Sequence, residues 1–146
     1  MRYIFYDDFK PGLLKEDKVI DISDILDVKP YQTPQMIVEK FITEYKTLKP
    51  ELEKSLKKAG KPVADVRLRQ PIPKPSLFMC GIGGFGEGEG RKRPINFFIK
   101  GWTSIIGPND TVMLPKTEAR IFEHEAELAV VFGKKTSNVD EKKALD

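Results

Sequence analysis

The stretch that decides the fold reads Phe122-Glu123-His124-Glu125-Ala126-Glu127-Leu128-Ala129-Val130-Val131-Phe132. Its β-branched and aromatic residues favour a strand. Because successive side chains of a strand point to opposite faces, the pattern predicts Glu123, Glu125 and Glu127 on one face. His124 falls on the other face, where a packed or hydrogen-bonded imidazole is expected rather than a catalytic one.

The three glutamates on one face admit two interpretations. Like charges along an apolar strand repel and lose hydration unless water or a cation offsets them. Carboxylate oxygens are hard ligands, which suit Mg²⁺, Mn²⁺ or Ca²⁺ better than zinc. The alternative is a solvated strand edge that carries acidic residues. From the pattern alone, both interpretations stay open.

Upstream of this stretch, the first part of the chain predicts a small helical region with short strands at its ends. Thr33-Pro34 is a good helix start, and an apolar stripe at helical spacing follows it, formed by Ile37, Phe41, Tyr45 and Leu48. Pro50 is expected to start or kink a second helical segment, and Gly60 to end it. Strands are expected at residues 1–8 and 63–69.

A proline-rich connector separates this region from the rest of the chain. Pro71, Pro73 and Pro75 cannot join a sheet interior, so the predicted domains are an α/β region over residues 1–70 and a β domain over residues 71–146. Further strands are expected at residues 77–82, 95–100 and 111–114, and a helix begins near Ser137. No closing strands are evident, which indicates that the second domain is incomplete.

A glycine-rich segment formally matches a dinucleotide-binding motif. Gly81-Ile82-Gly83-Gly84-Phe85-Gly86 follows a predicted strand, but Glu87-Gly88-Glu89-Gly90 comes next, where a phosphate-binding helix would have to begin. The dinucleotide interpretation is therefore rejected. Either an active-site lid or a surface loop is expected here.

Composition excludes several classes of protein. The chain has 146 residues, 40% hydrophobic and 32% charged, with a formal net charge of +3. Charged residues interrupt every apolar run, and lysines alternate with glutamates, so neither a membrane span nor a nucleic-acid surface is expected. Cys80 cannot form an intramolecular disulfide and is expected to be buried and inert. A cytoplasmic location follows as the default expectation.

Read in order, several segments resemble the fumarylacetoacetate hydrolase family. The matching segments are residues 69–76, 80–82, 94–100, 104–110, 114–115 and 125–134. The resemblance implies an α+β protein, in which a small helical N-terminal region precedes part of a mixed β-sheet roll, and a homodimer when the protein is complete. It implies hydrolysis of a C–C bond, decarboxylation or isomerisation of a small 2-oxo or 1,3-dicarbonyl acid, with Mg²⁺, or else Mn²⁺ or Ca²⁺. Glu125 and Glu127 match the family's metal ligands, and Lys100 matches a lysine that helps to hold the substrate carboxylate.

Two departures from the family pattern matter. The loop after residue 82 lacks the family's histidine, so Glu87 or Glu89 is left as the candidate base, which requires a raised pKa. A third metal carboxylate and most of the sheet are expected beyond residue 146, so the 146-residue chain is expected to be inactive alone. The alternative is a non-catalytic or truncated member that binds a ligand or a partner.

Overall fold

The structure is a computed structural model that describes residues 1–82 and 96–144. Its residues group into two units, Met1–Asp110 and Thr111–Asp146. Within the described residues, no helix is both long and apolar enough to cross a membrane.

The first unit begins with an antiparallel meander of three strands. These are β1 (Arg2–Tyr6), β2 (Lys10–Lys15) and β3 (Lys18–Asp21). Short turns connect them, and Phe9 and Glu16 take positive φ angles of 57° and 54° so that the chain can reverse tightly. Of these three strands, the sequence predicted only β1.

One long helix, α1 (Pro34–Ser55), packs against the meander. Thr33 caps it as predicted, since its Oγ1 accepts a hydrogen bond from the Met36 N–H at 3.3 Å. The helix runs through Pro50 without a break, which corrects the expectation of a second segment. A proline inside a helix removes one backbone hydrogen-bond donor. Leu52, two residues after Pro50, is fully buried, and the burial of its side chain helps to offset that loss.

The core lies between α1 and the meander. Its buried members are Phe5, Leu13, Ile22, Leu26, Ile37, Val38 and Leu52. The predicted helical stripe joins them, with Phe41, Tyr45 and Leu48 packed at the margin. Phe41 also stacks on Tyr3, with ring centroids 4.4 Å apart. The apolar stripe therefore marks the face of α1 that contacts the sheet, as predicted.

Two very short strands close this sheet. They are β4 (Lys61–Pro62) and β5 (Leu68–Arg69), and the sheet order is β4-β3-β2-β1-β5. The strand expected over residues 63–69 forms only at its end, because a 3-10 turn, Val63–Asp65, occupies its beginning. β1 is thereby flanked on both sides, by β2 and by β5.

An antiparallel ribbon follows the proline-rich connector. It pairs β6 (Met79–Ile82) with β7 (Asn96–Ile99), both close to the predicted positions. Cys80 is buried, as expected, whereas Phe97, Phe98 and Ile99 are exposed. Ile72 packs against the core, and the Lys74 N–H donates to Gln35 on α1 at 2.9 Å. Residues after position 70 therefore contact the N-terminal core and α1. The domain boundary at residue 70 stays a prediction.

The second unit contains little regular structure. Over residues 111–144, the structure has a single 3-10 turn, Glu141–Lys143, whose start is capped by Asp140. The strands predicted at residues 111–114 and 122–132 are absent. A strand persists only where a neighbour satisfies its backbone groups, and no described segment pairs with either. The coarse α+β class is confirmed, and every pairing among the described residues is antiparallel.

Candidate functional site

Glu125 and Glu127 lie in an exposed segment without regular secondary structure. No hydrogen bond or ion pair engages either carboxylate within the described part of the chain. Both oxygens of each group are therefore accessible. Carboxylates of this kind are the ligands that a hard divalent cation prefers.

The donor set fits such a cation in type. Among residues 1–82 and 96–144, however, no group of three or more histidine, cysteine or acidic side chains is assembled as a metal site. Glu125 and Glu127 can therefore supply part of a coordination shell, and water or other groups must complete it.

The predicted separation of faces around these glutamates does not hold. Without a strand, nothing imposes opposite directions on neighbouring side chains. Glu123 and His124 are both exposed, like Glu125 and Glu127. The expectation of a packed or hydrogen-bonded His124 was wrong, because the side chain is exposed and makes no hydrogen bond among the described residues.

Lys100 follows directly after β7 in the first unit. Its backbone N–H donates to the Phe78 carbonyl at 3.0 Å, which extends the pairing of β6 and β7 by one rung. Its ammonium lies 5.5 Å from the centroid of the Phe98 ring. The side chain is exposed and has no carboxylate partner among the described residues. It is therefore a cation available to bind an anionic group.

Glu87 and Glu89, the predicted candidates for a base, lie outside the described residues, as does most of the glycine-rich segment. Lys100 belongs to the first unit, and Glu125 and Glu127 belong to the second. All three of these predicted site residues, Lys100, Glu125 and Glu127, are exposed to solvent.

Sequence reasoning missed a polar network that joins the two ends of the first unit. The Arg67 guanidinium donates to Asp110 Oδ1 at 2.9 Å, and the Gly107 N–H donates to Asp110 Oδ2 at 2.9 Å. The backbone N–H of Arg67 donates to Asp7 Oδ1 at 3.0 Å, and the Asp7 N–H returns a bond to the Arg67 carbonyl at 2.8 Å. We call the contacts of Arg67 and Gly107 with Asp110 the Arg67–Asp110 clamp.

The electrostatics of the clamp follow from its geometry. The hydrogen bond from Arg67 and then the backbone N–H of Gly107 lower the pKa of Asp110 below its usual value. Gly107 is buried, and a Cβ atom there would lie 3.3 Å from the Arg69 Cα. In the sequence, Gly107-Pro108-Asn109-Asp110 predicted only a turn. Nothing in the local sequence around Arg67 indicates that it pairs with Asp110, which lies 43 residues away.

Residues 86–146 match the family model for the C-terminal domain of fumarylacetoacetate (FAA) hydrolase. This segment contains Lys100, Glu125 and Glu127. Over these residues, the match confirms the resemblance to the fumarylacetoacetate hydrolase family that was drawn from the sequence motifs.

Individual relatives agree with this assignment. Maleylpyruvate hydrolase of Aquipseudomonas alcaligenes is 26% identical, over 100% of this chain and 57% of its own length. The mitochondrial oxaloacetate tautomerase of Xenopus laevis is 46% identical over 88 residues, which cover 57% of this chain and 27% of that protein.

A solved structure shows the same fold. The crystal structure of maleylpyruvate hydrolase from Sphingobium sp. SYK-6, in complex with manganese(II) and pyruvate, aligns with a TM-score of 0.64 and 27% identity. The alignment covers 80% of this chain and 43% of that one. The chain therefore spans about half the length of the relatives that it matches.

Proposed function

We propose that this chain is part of a divalent-metal-dependent enzyme that acts on a small 2-oxo or 1,3-dicarbonyl acid. The observation that carries the proposal is the family match over residues 86–146, which contains the Glu125-x-Glu127 pair. Relatives whose names specify maleylpyruvate, caffeoylpyruvate and oxaloacetate as substrates support the substrate class.

Glu125 and Glu127 are proposed to hold the cation. Support comes from their accessible carboxylates and from the manganese in the related maleylpyruvate hydrolase structure. Mg²⁺ and Ca²⁺ suit the same oxygen donors. We propose Mn²⁺ first, because the related structure contains manganese. When bound, the cation supplies Lewis acidity that stabilises the negative charge of an enolate or carbanion.

Lys100 is proposed to bind the carboxylate of the oxo acid. Its ammonium is exposed and has no acidic partner among the described residues, while the bond between its N–H and Phe78 fixes its backbone. An ammonium offers three donors to an anion, and a charge-assisted hydrogen bond is stronger than a neutral one. The side chain would therefore orient the substrate by its acid group.

The reaction type depends on the base. Hydrolysis of a C–C bond, decarboxylation and keto–enol isomerisation share an enolate-like species, and the relatives include both hydrolases and a tautomerase. Residues 83–95 contain Glu87 and Glu89 but no histidine. We propose one of these two glutamates as the base.

The second candidate function is a non-catalytic member that binds an oxo acid or a partner protein. It is favoured by the missing loop histidine and by the absence of a complete metal-ligand set within residues 1–82 and 96–144. For either function we propose a cytoplasmic homodimer that contacts neither nucleic acid nor membrane.

A turnover assay of the full-length protein tests the proposal. Maleylpyruvate, another acylpyruvate and oxaloacetate are offered with Mn²⁺, with Mg²⁺ and with excess chelator. We expect metal-dependent consumption of at least one substrate, and its loss in Glu127→Gln. Glu123→Gln is the matched control, since it removes a neighbouring exposed carboxylate. Metal-dependent binding without turnover of any of them would favour the non-catalytic function.

A further inference from the structure

The Arg67–Asp110 clamp closes a segment that the proposed function requires. Lys100 begins this segment, the 3-10 turn Trp102–Ser104 continues it, and Asp110 ends it. The Lys100 N–H bonds to Phe78 at one end of the segment. Two residues further on, the ammonium of Lys74 lies 4.8 Å from the Trp102 ring centroid. At the other end of the segment, the clamp attaches Asp110 to Arg67.

The clamp differs from an ordinary surface ion pair. Isolated exposed pairs contribute little, because solvent screens them and two long side chains lose freedom. Here both oxygens of Asp110 accept hydrogen bonds from different donors, and the Arg67 backbone is itself fixed by two bonds to Asp7. Gly107 is buried, and a Cβ atom there would lie 3.3 Å from the Arg69 Cα and from the Gln70 nitrogen, so a larger side chain would require its neighbours to shift.

We propose that Arg67 and Asp110 are positioning residues, which hold residues 100–110 against the N-terminal sheet and thereby orient Lys100 for the substrate carboxylate. This proposal rests on the proposed function of Lys100. It assigns no contact with substrate or metal to the clamp itself. Loosening the clamp should therefore weaken binding of the oxo acid and leave the affinity for the cation unchanged.

The test uses the full-length protein with Mn²⁺ and with pyruvate as the probe. Amide hydrogen exchange of residues 101–110 and calorimetric affinities for Mn²⁺ and pyruvate are measured for Arg67→Gln, Arg67→Lys and Asp110→Asn. Arg2→Gln is the matched control, since it removes the same charge from the same sheet at an exposed position. Lys100→Met reports the role of the lysine directly.

For Arg67→Gln and Asp110→Asn, we expect faster exchange and a pyruvate Kd raised about two- to fivefold, the size expected of a partly exposed ion pair. Arg67→Lys should recover most of the affinity, and Arg2→Gln should match the wild type. For Lys100→Met, the expected loss is about tenfold or more, since a charged donor is removed.

Two results would overturn the positioning role. Faster exchange with unchanged pyruvate affinity, while Lys100→Met still weakens binding, would show that the clamp is only structural. Wild-type pyruvate affinity in Lys100→Met would remove the residue that the clamp is proposed to orient. That second result also rejects the proposed role of Lys100, whereas the metal site is judged separately from Glu127→Gln.

Discussion

Replacing Tyr3 by phenylalanine should stabilise the first unit. The Tyr3 ring packs edge-on against Phe5, with centroids 5.2 Å apart, and stacks on Phe41. Its hydroxyl is the one buried side-chain polar atom that lacks a hydrogen-bond partner in the described part of the chain. Burial accordingly raises the pKa of this hydroxyl. Phenylalanine keeps the ring contacts and removes only the unsatisfied oxygen.

The magnitude follows from the cost of an unpaired buried group. A buried polar group without a partner costs about 1–3 kcal/mol, and the partial burial of Tyr3 places it at the lower end of that range. Tyr3→Phe should therefore raise the free energy of unfolding by about 1 kcal/mol, and the midpoint temperature by about 4 °C.

Tyr6 provides the matched control, because the same atom is removed there from a satisfied site. Its hydroxyl donates to Asp21 Oδ2 at 2.6 Å, and Tyr6 is 4% exposed. Losing a bond to a charged acceptor should lower the free energy of unfolding by about 1.5 kcal/mol in Tyr6→Phe. The two substitutions should therefore shift stability in opposite directions.

Urea unfolding of the full-length protein, together with hydrogen exchange of the β1 and β2 amides, measures both effects. The slope of free energy against urea should stay constant, so that a shift in midpoint reports stability. If Tyr3→Phe destabilised the protein as much as Tyr6→Phe does, the Tyr3 hydroxyl would have a partner, such as a buried water, and the reasoning would be refuted.

Three further predictions concern the core, acid stability and the metal. Leu52→Ala should lower the free energy of unfolding by about 2–5 kcal/mol in urea titrations, because Leu52 is fully buried; a change below about 1 kcal/mol would contradict its place in the core. Burial raises the pKa of Asp21, but hydrogen bonds to its carboxylate outweigh that effect and leave the pKa below its usual 3.8. A carboxyl with a depressed pKa in the folded state contributes stability above its unfolded pKa, near pH 4, and that contribution is lost as the pH falls through the folded value. Unfolding titrations between pH 7 and pH 2 should show this loss, and Asp21→Asn should make the curve flatter; an identical acid dependence in both proteins would contradict the assignment. Finally, Glu127→Gln should weaken Mn²⁺ or Mg²⁺ binding to the full-length protein by about tenfold or more, and Glu123→Gln should have a smaller effect, as measured by calorimetry; equal affinities would reject the metal site.

Local contacts explain why the start of the helix could be predicted from the sequence. The start of α1 could be predicted because Thr33 and Pro34 act on their own helix, and because residues that are neighbours on a helix are close in sequence. The β2–β3 hairpin was missed. Its turn residues, Glu16 and Asp17, lack the Asn-Gly or Asp-Gly signal that usually identifies a tight hairpin.

Sequence patterns were least informative for contacts between residues that are far apart in the chain. Residues 122–132 have a strand-like composition, but a strand also requires a neighbour, which the local pattern cannot supply. The candidate metal ligands were identified because Glu125 and Glu127 belong to a family motif, and the structure adds only that both side chains are exposed. The clamp escaped prediction because Arg67 and Asp110 are 43 residues apart.

The position of β1 between β2 and β5 has a consequence for biosynthesis. β2 reaches β1 through a short turn, but the Arg69 side chain meets Asp7 across 62 residues of chain. During synthesis, β1 therefore emerges from the ribosome long before the strand that covers its outer edge. An open strand edge can pair with another chain in that interval. The nascent protein is thus expected to be most vulnerable to self-association before residue 69 is exposed, and a pause in translation upstream of β5 would prolong that period.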